Sequence, residues 1–142
     1  TEKSWKTLIK KSHLFGLVRE RKELDNTLIE IFVKDVLNSL KIKFEEQVYI
    51  YHKDDNKHRR YFIADFVIGK TIIEVNGDYW HGNPLVFKQE NLDKRQLEKV
   101  GKDAYKKLKL EQLGYSVIYI WEYDIKHNKD KVIENIKNIF AS

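Results

Sequence analysis

Apolar and polar positions recur along this chain at two different periods. Residues 27–40 carry Ile29, Phe32, Val33, Val36, Leu37 and Leu40 at helical spacing, which predicts one helix with a broad apolar stripe. Phe44 to Tyr51 changes to strand alternation, with Val48 and Ile50 on one face and Tyr49 and Tyr51 on the other. Tyr61 to Ile68 and Thr71 to Asn76 are apolar, β-branched runs joined by Gly69-Lys70. Two loop residues with glycine first predict a hairpin closed by a type II′ turn. Asn83-Pro84 stops regular structure, and a long helix is expected from about Asn91 to Leu113, ended by Gly114 at a C-cap position. Its inner stripe reads as Leu97, Val100, Ala104 and Leu108, and Gly101 in its middle points to close packing or an irregular start. Ser116 to Trp121 reads as a buried strand. Asn128 then caps a last helix through Phe140, with Val132, Ile133, Ile136 and Ile139 inward. Strand, long helix, strand implies a crossover, so Ser116–Trp121 should run parallel to Thr71–Asn76. The expected fold is α/β, a mixed sheet of about four strands flanked by helices. Residues 4–18 carry a further helical pattern, weakened at Gly16.

The hairpin turn sets a register. If Ile68 faces Thr71, then Phe66 faces Ile73 and Asp65 faces Glu74, which makes two acids direct cross-strand partners inside apolar runs. Like charges so placed are destabilising, and an unpaired carboxylate in such a setting is costly. A shared proton, basic neighbours or a divalent cation would each relieve the conflict. Paired oxygen ligands suit a hard ion such as Mg²⁺, and Asn76, Asp78 and His81 follow closely. A solvated face with both acids in water is the plainer alternative.

Charge sharpens the partner class. The chain has 142 residues and a formal net charge of +5. Residues 1–22 alone hold Lys3, Lys6, Lys10, Lys11, Arg19, Arg21 and Lys22 against Glu2 and Glu20, so the excess is an N-terminal basic arm ahead of a domain at 23–142. Such an arm suits a polyanion, most often nucleic acid, or is a solvated helix face. The connection from His52 to Arg60, with Lys53, Lys57, Arg59 and Arg60, offers further phosphate contacts. No run of apolar residues is long enough to span a membrane as a helix, and no signal peptide is visible, so a cytoplasmic setting is expected. The absence of cysteine excludes disulfides and thiolate zinc sites. The absence of methionine, with Thr1 first, points to a processed or excised fragment, which leaves room for a DNA-recognition module upstream.

Two candidate acids lie on helices. Thr27 and Glu30 have the spacing of a capping box, while Glu30 also adjoins the apolar stripe and so reaches toward a cleft. Asp103 adjoins the long helix's stripe, and with Lys106 and Lys107 reads equally as an intrahelical ion pair.

Helix glutamate, strand aspartate, Glu-x-Asn at the end of the next strand, then helix and strand: this order resembles the PD-(D/E)xK nuclease superfamily. The blocks Ala64-Asp65-Phe66-Val67, Gly77-Asp78-Tyr79-Trp80-His81 and Gly114 to Glu122 look more narrowly like the very short patch repair endonucleases and related phage homing endonucleases. The likeness spans roughly residues 24–126. It implies that Asp65 and Glu74 bind metal, that Asn76 stands where the superfamily has lysine and the repair enzymes histidine, and that His81 matches a second histidine. It likewise matches Glu30 to the helix glutamate and sets Tyr79 and Trp80 where the repair enzymes wedge aromatics into DNA. Departures are Ala64 in place of proline, the missing lysine, and the structural zinc that no cysteine can hold. An amide cannot titrate, so proton transfer falls to His81, histidine being the residue type suited to it near neutral pH.

The function so implied is a Mg²⁺- (or Mn²⁺-) dependent endonuclease acting on double-stranded DNA, host-encoded or phage-encoded and acting in the host cytoplasm. Asp65, Glu74 and the Val75 carbonyl would hold the ion, with Glu30 and Asp103 orienting water or a second ion. Arg59, Arg60, Lys106 and Lys107 would meet the DNA backbone, and Tyr79 and Trp80 the bases. A non-catalytic nucleic-acid-binding module on the same fold is the rival. A carboxylate-pair glycosidase fits poorly with the basic arm.

Overall fold

The computed structural model describes residues 26–140; the basic arm and the pattern at 4–18 lie outside them. Helix α1 (Asn26–Ser39) leads into strands β1 (Glu45–Lys53), β2 (Arg59–Ile68) and β3 (Thr71–Asn76). After a loop and one 3-10 turn (Gln89–Asn91) come α2 (Lys94–Gln112), β4 (Ser116–Trp121), α3 (Glu122–His127) and α4 (Lys129–Phe140). The sheet order is β1-β2-β3-β4, antiparallel across the first three strands and parallel between β3 and β4. This is the expected α/β fold, a four-stranded mixed sheet flanked by helices. Among the described residues no helix is long and apolar enough to cross a membrane.

One sheet face packs on α1, α3 and α4 through Ile29, Phe32, Val33, Phe66, Ile73, Val75, Ile125 and Ile133. The other packs on α2 through Ile50, Ala64, Ile72 and Leu110. The Gly69-Lys70 turn forms as expected: Gly69 has φ +60°, and the ladder runs Ile68↔Thr71, Val67↔Ile72, Phe66↔Ile73.

The ladder stops there. Asp65 does not pair with Glu74 through the backbone; its carboxylate Oδ2 accepts the Val75 N–H at 2.8 Å instead. The reason lies in the neighbouring strand. Gln47, opposite Asp65 in the β1–β2 register, has φ +52°, a left-handed conformation that costs a non-glycine residue about 1 kcal/mol. The β1–β2 ribbon changes face at this point. Phe44 and Phe66 pack on the α1 side, with Glu46 ion-paired to Lys34 of α1, whereas Val48, Ile50 and Ala64 pack on the α2 side. Beyond Asp65 the ribbon parts from β3, and a gap opens between them.

Several local expectations are corrected. Helix α2 starts at Lys94, where Asp93 and Gln96 form a capping box, and not near Asn91. Most of its expected inner stripe faces outward: Leu97 and Leu108 are each 54% exposed and Ala104 is exposed, while Val100 is half-buried beside Gly82 and Gln96 and Leu110 are buried. Gly101 has open space where a Cβ would stand, so close packing does not explain it. Strand β4 is an edge strand with only Ile120 buried, the extra helix α3 follows it directly, and Ile139 of α4 is exposed. Thr27 lies within helix α1, after Asn26, and so is not its N-cap.

Candidate active site

Glu74, Asn76, His81, Lys99, Asp103, Lys106, Lys107 and Tyr119 line one shallow cleft at the gap beside β3. The β3 residues come here by alternation: Ile73 and Val75 enter the α1-side core, so Glu74 and Asn76 face α2. Both are buried. Burial, then repulsion from Asp65, pushes the Glu74 carboxyl up to about 8, and its protonated form hydrogen-bonds to Asp65. The two acids therefore meet across the gap, as the register implied, although by a side chain replacing a ladder bond.

Lys106 projects from α2 into this gap. Its ammonium donates to the Ile63 carbonyl at 2.9 Å and lies 2.6 Å from Glu74 Oε1. That second contact offsets part of the rise in the Glu74 pKa, which burial and Asp65 still dominate. The expected intrahelical pair of Asp103 with Lys106 or Lys107 does not form. Lys106 serves Glu74, and Asp103 contacts Lys99 at 3.4 Å. The other Asp103 contact is to His81, whose Nδ1 lies 2.6 Å from Oδ2, so Asp103 orients an imidazole and not water. Burial, then the charges of Asp103 and Glu74, holds the Tyr119 hydroxyl up at about 12, leaving a neutral phenol on the cleft wall.

His81 is held by a loop built for rigidity. The Asp78 N–H donates to Glu122 Oε1 at 2.9 Å, and Asp78 Oδ1 accepts from Asn83 Nδ2 at 2.9 Å and the Tyr123 N–H at 3.1 Å. Asp78 thus leaves the cleft for a buried network at the start of α3. Gly82 has φ +57°, and a Cβ there would stand 3.0 Å from Val100 of α2, so both conformation and space require glycine. The Tyr79 hydroxyl donates to Asp93 Oδ2 at 2.5 Å and its carbonyl accepts from Gln96 at 3.0 Å, fastening the loop to the start of α2. Tyr79 is tied down by these bonds; Trp80, 48% exposed, keeps its ring accessible.

Other expected residues lie elsewhere. Glu30 is half-buried on α1 and does not line the cleft. Arg59 and Arg60 sit at the far end of β2, the first 4.4 Å over the Tyr51 ring and the second 3.1 Å from Asp54. Lys107 lines the cleft, 5.7 Å from the Tyr119 ring centre. Sequence reasoning treated Lys106 as a surface cation. Asp103, Lys106 and Leu110 lie three and four residues apart, one helix face, so placing Asp103 inward carries Lys106 with it.

Among the described residues no three or more histidine and carboxylate groups gather closely enough to enclose a metal ion. Of the residues expected to hold an ion, Asp65 and Glu74 meet at the gap, and the Val75 carbonyl points to the same edge of β3 as the N–H that Asp65 accepts. No protein-family model matches the chain, and no curated protein is significantly similar in sequence. Among solved structures, the chain is similar to the homing endonuclease I-Bth0305I catalytic domain, with 29% identity, 76% of this chain and 88% of that chain covered, and a TM-score of 0.49.

Proposed function

We propose that this chain is the catalytic domain of a divalent-metal-dependent DNA endonuclease of the site-specific, homing type, on a PD-(D/E)xK-like core. The meeting of Asp65 and Glu74 at the break between β2 and β3, with His81–Asp103 in the same cleft, carries this reading. The residues fit Mg²⁺ or Mn²⁺. Mg²⁺ takes one or two carboxylates and leaves its remaining positions to water and substrate oxygens, and an ion on Glu74 would take the place beside Oε1 that the Lys106 ammonium holds at 2.6 Å. When bound, the ion supplies Lewis-acid polarisation and lowers the pKa of water.

The chain's own groups divide the remaining work. Asp103 holds His81 at Nδ1, which keeps the proton there and leaves Nε2 to accept or return one. Lys99, Lys106 and Lys107 set positive charge along the cleft for a phosphodiester backbone. Tyr119 offers a neutral hydroxyl donor. Trp80 presents an accessible ring to bases beside the scissile position.

One observation favours a second reading. The Lys106 ammonium already lies against Glu74, and a self-neutralised cluster suits a module that binds nucleic acid without cutting it. Incubation of supercoiled plasmid with Mg²⁺ or Mn²⁺ separates the two. Nicked or linear product from the wild type, absent with Asp65→Ala, is expected; a gel shift without any product would establish the binding module.

A further inference from the structure

The outer half of the β1–β2 ribbon presents a face that the cleft does not use. Tyr49, Tyr51 and Lys53 on β1 stand opposite Ile63, Tyr61 and Arg59 on β2 in the register. The inner face of the same ribbon is closed by His52 stacked on Phe62 at 4.2 Å and by Ile50 and Ala64 in the core. Outside, the three tyrosines are each more than half exposed, between 52% and 54%. Their rings nonetheless form an ordered surface. Tyr49 and Tyr61 stack with centroids 5.0 Å apart at 27°, Tyr51 meets Tyr61 edge-on at 6.1 Å, and the Arg59 guanidinium lies 4.4 Å over Tyr51.

Charge around this face is positive. Asp54 is engaged by the Asn56 and His58 N–H groups and by Arg60, and Asp55 by Lys109. Among the described residues, Lys53, Lys57 and Arg59 form no ion pair. Aromatic rings and an arginine plane stack with nucleobases, and unpaired cations beside them take phosphates.

We infer that the Tyr49–Tyr51–Tyr61 face with Arg59 and Lys53 is a binding track for an unpaired DNA strand, whose bases stack there on the side of the ribbon turned away from α2 and the cleft. Taking DNA as the occupant rests on the endonuclease reading. The track gives that reading a substrate form: DNA with a single-stranded segment.

The test is fluorescence anisotropy in EDTA with the whole chain and a labelled oligothymidylate of about twelve nucleotides, against a blunt duplex of equal length. Wild type should bind the single strand more tightly. Tyr49→Ala and Tyr61→Ala should each weaken it about tenfold, and Tyr61→Phe should restore binding. Unchanged single-strand affinity in the double alanine variant overturns the track. So does a concentration-dependent dimer that the same variant abolishes, because the face would then belong to a second copy. Plasmid nicking in Mg²⁺ is followed in parallel. Nicking with an inert tyrosine face removes the track and leaves the nuclease; single-strand binding lost in the tyrosine variants, without nicking by wild type, does the reverse.

Discussion

The ammonium of Lys106 lies 2.6 Å from Glu74 Oε1 and donates to the Ile63 carbonyl, so one helix residue spans the gap where β2 leaves β3. It is the largest positive contribution to an otherwise acidic pair. Replacing it with methionine keeps the aliphatic stem and removes the charge. Metal-free Lys106→Met should lose about 1–3 kcal/mol of stability in urea titration, less than a fully broken buried pair because Glu74 can take up a proton. Its plasmid nicking should fall by more than tenfold. A variant as stable and as active as wild type would make Lys106 a bystander.

Glu74 makes the metal-free protein sensitive to pH. Its folded-state pKa of about 8 lies above the ordinary carboxyl value of 4.5, so between those values the folded state binds more protons than the unfolded one. Stability must then decline as pH rises through that window. Glu74→Gln removes the term. In EDTA, the wild-type urea midpoint should fall relative to Glu74→Gln from about pH 5 to about pH 8, while Glu74→Gln does not nick plasmid at any pH. Parallel profiles would mean that the carboxyl titrates normally. Metal uptake near pH 7 should also release a proton, readable with a pH indicator in weak buffer.

His81 and Asp103 act as a unit if Asp103 sets the imidazole's tautomer. Asp103→Asn should keep the fold and DNA affinity while reducing the nicking rate by about 10²-fold, within the range of general acid–base contributions. His81→Ala should lose about as much, and the double variant little more than either alone. Full additivity of the two losses, measured as single-turnover rates, would separate the residues into independent roles.

What could be read beforehand divides by how local its cause is. The Gly69 turn, the α1 stripe and the parallel β3–β4 pairing depend on short-range chemistry and chain connectivity, and each was legible. The strand break was not, because it depends on Gln47 in a left-handed conformation that usually selects glycine or asparagine. Nor was the partner of Glu74, since α2 carries two rival stripes. Apolar periodicity favoured Leu97, Val100, Ala104 and Leu108, of which only Val100 packs inward, because the cleft floor of Glu74 and Asn76 draws in the charged face with Asp103 and Lys106. Burial of a polar cluster overrode the hydrophobic pattern along most of that helix.

This inversion of α2 has its own test. If Leu97 and Leu108 lie on the outer face, Leu97→Ser and Leu108→Ser should each change stability by less than about 0.5 kcal/mol, as surface substitutions do. Leu110, fully buried against Ile72 and Ile50, should cost about 2–5 kcal/mol when changed to alanine. The contrast is large because Leu97 and Leu108 lie about 150° around the helix from Leu110, so a helix turned by that much would exchange the two outcomes. Urea midpoints of the three variants decide it. Losses of several kcal/mol at Leu97 and Leu108, with Leu110→Ala mild, would place the apolar stripe inward, expel Lys106 from the gap and leave Asp65 and Glu74 facing each other without their ammonium.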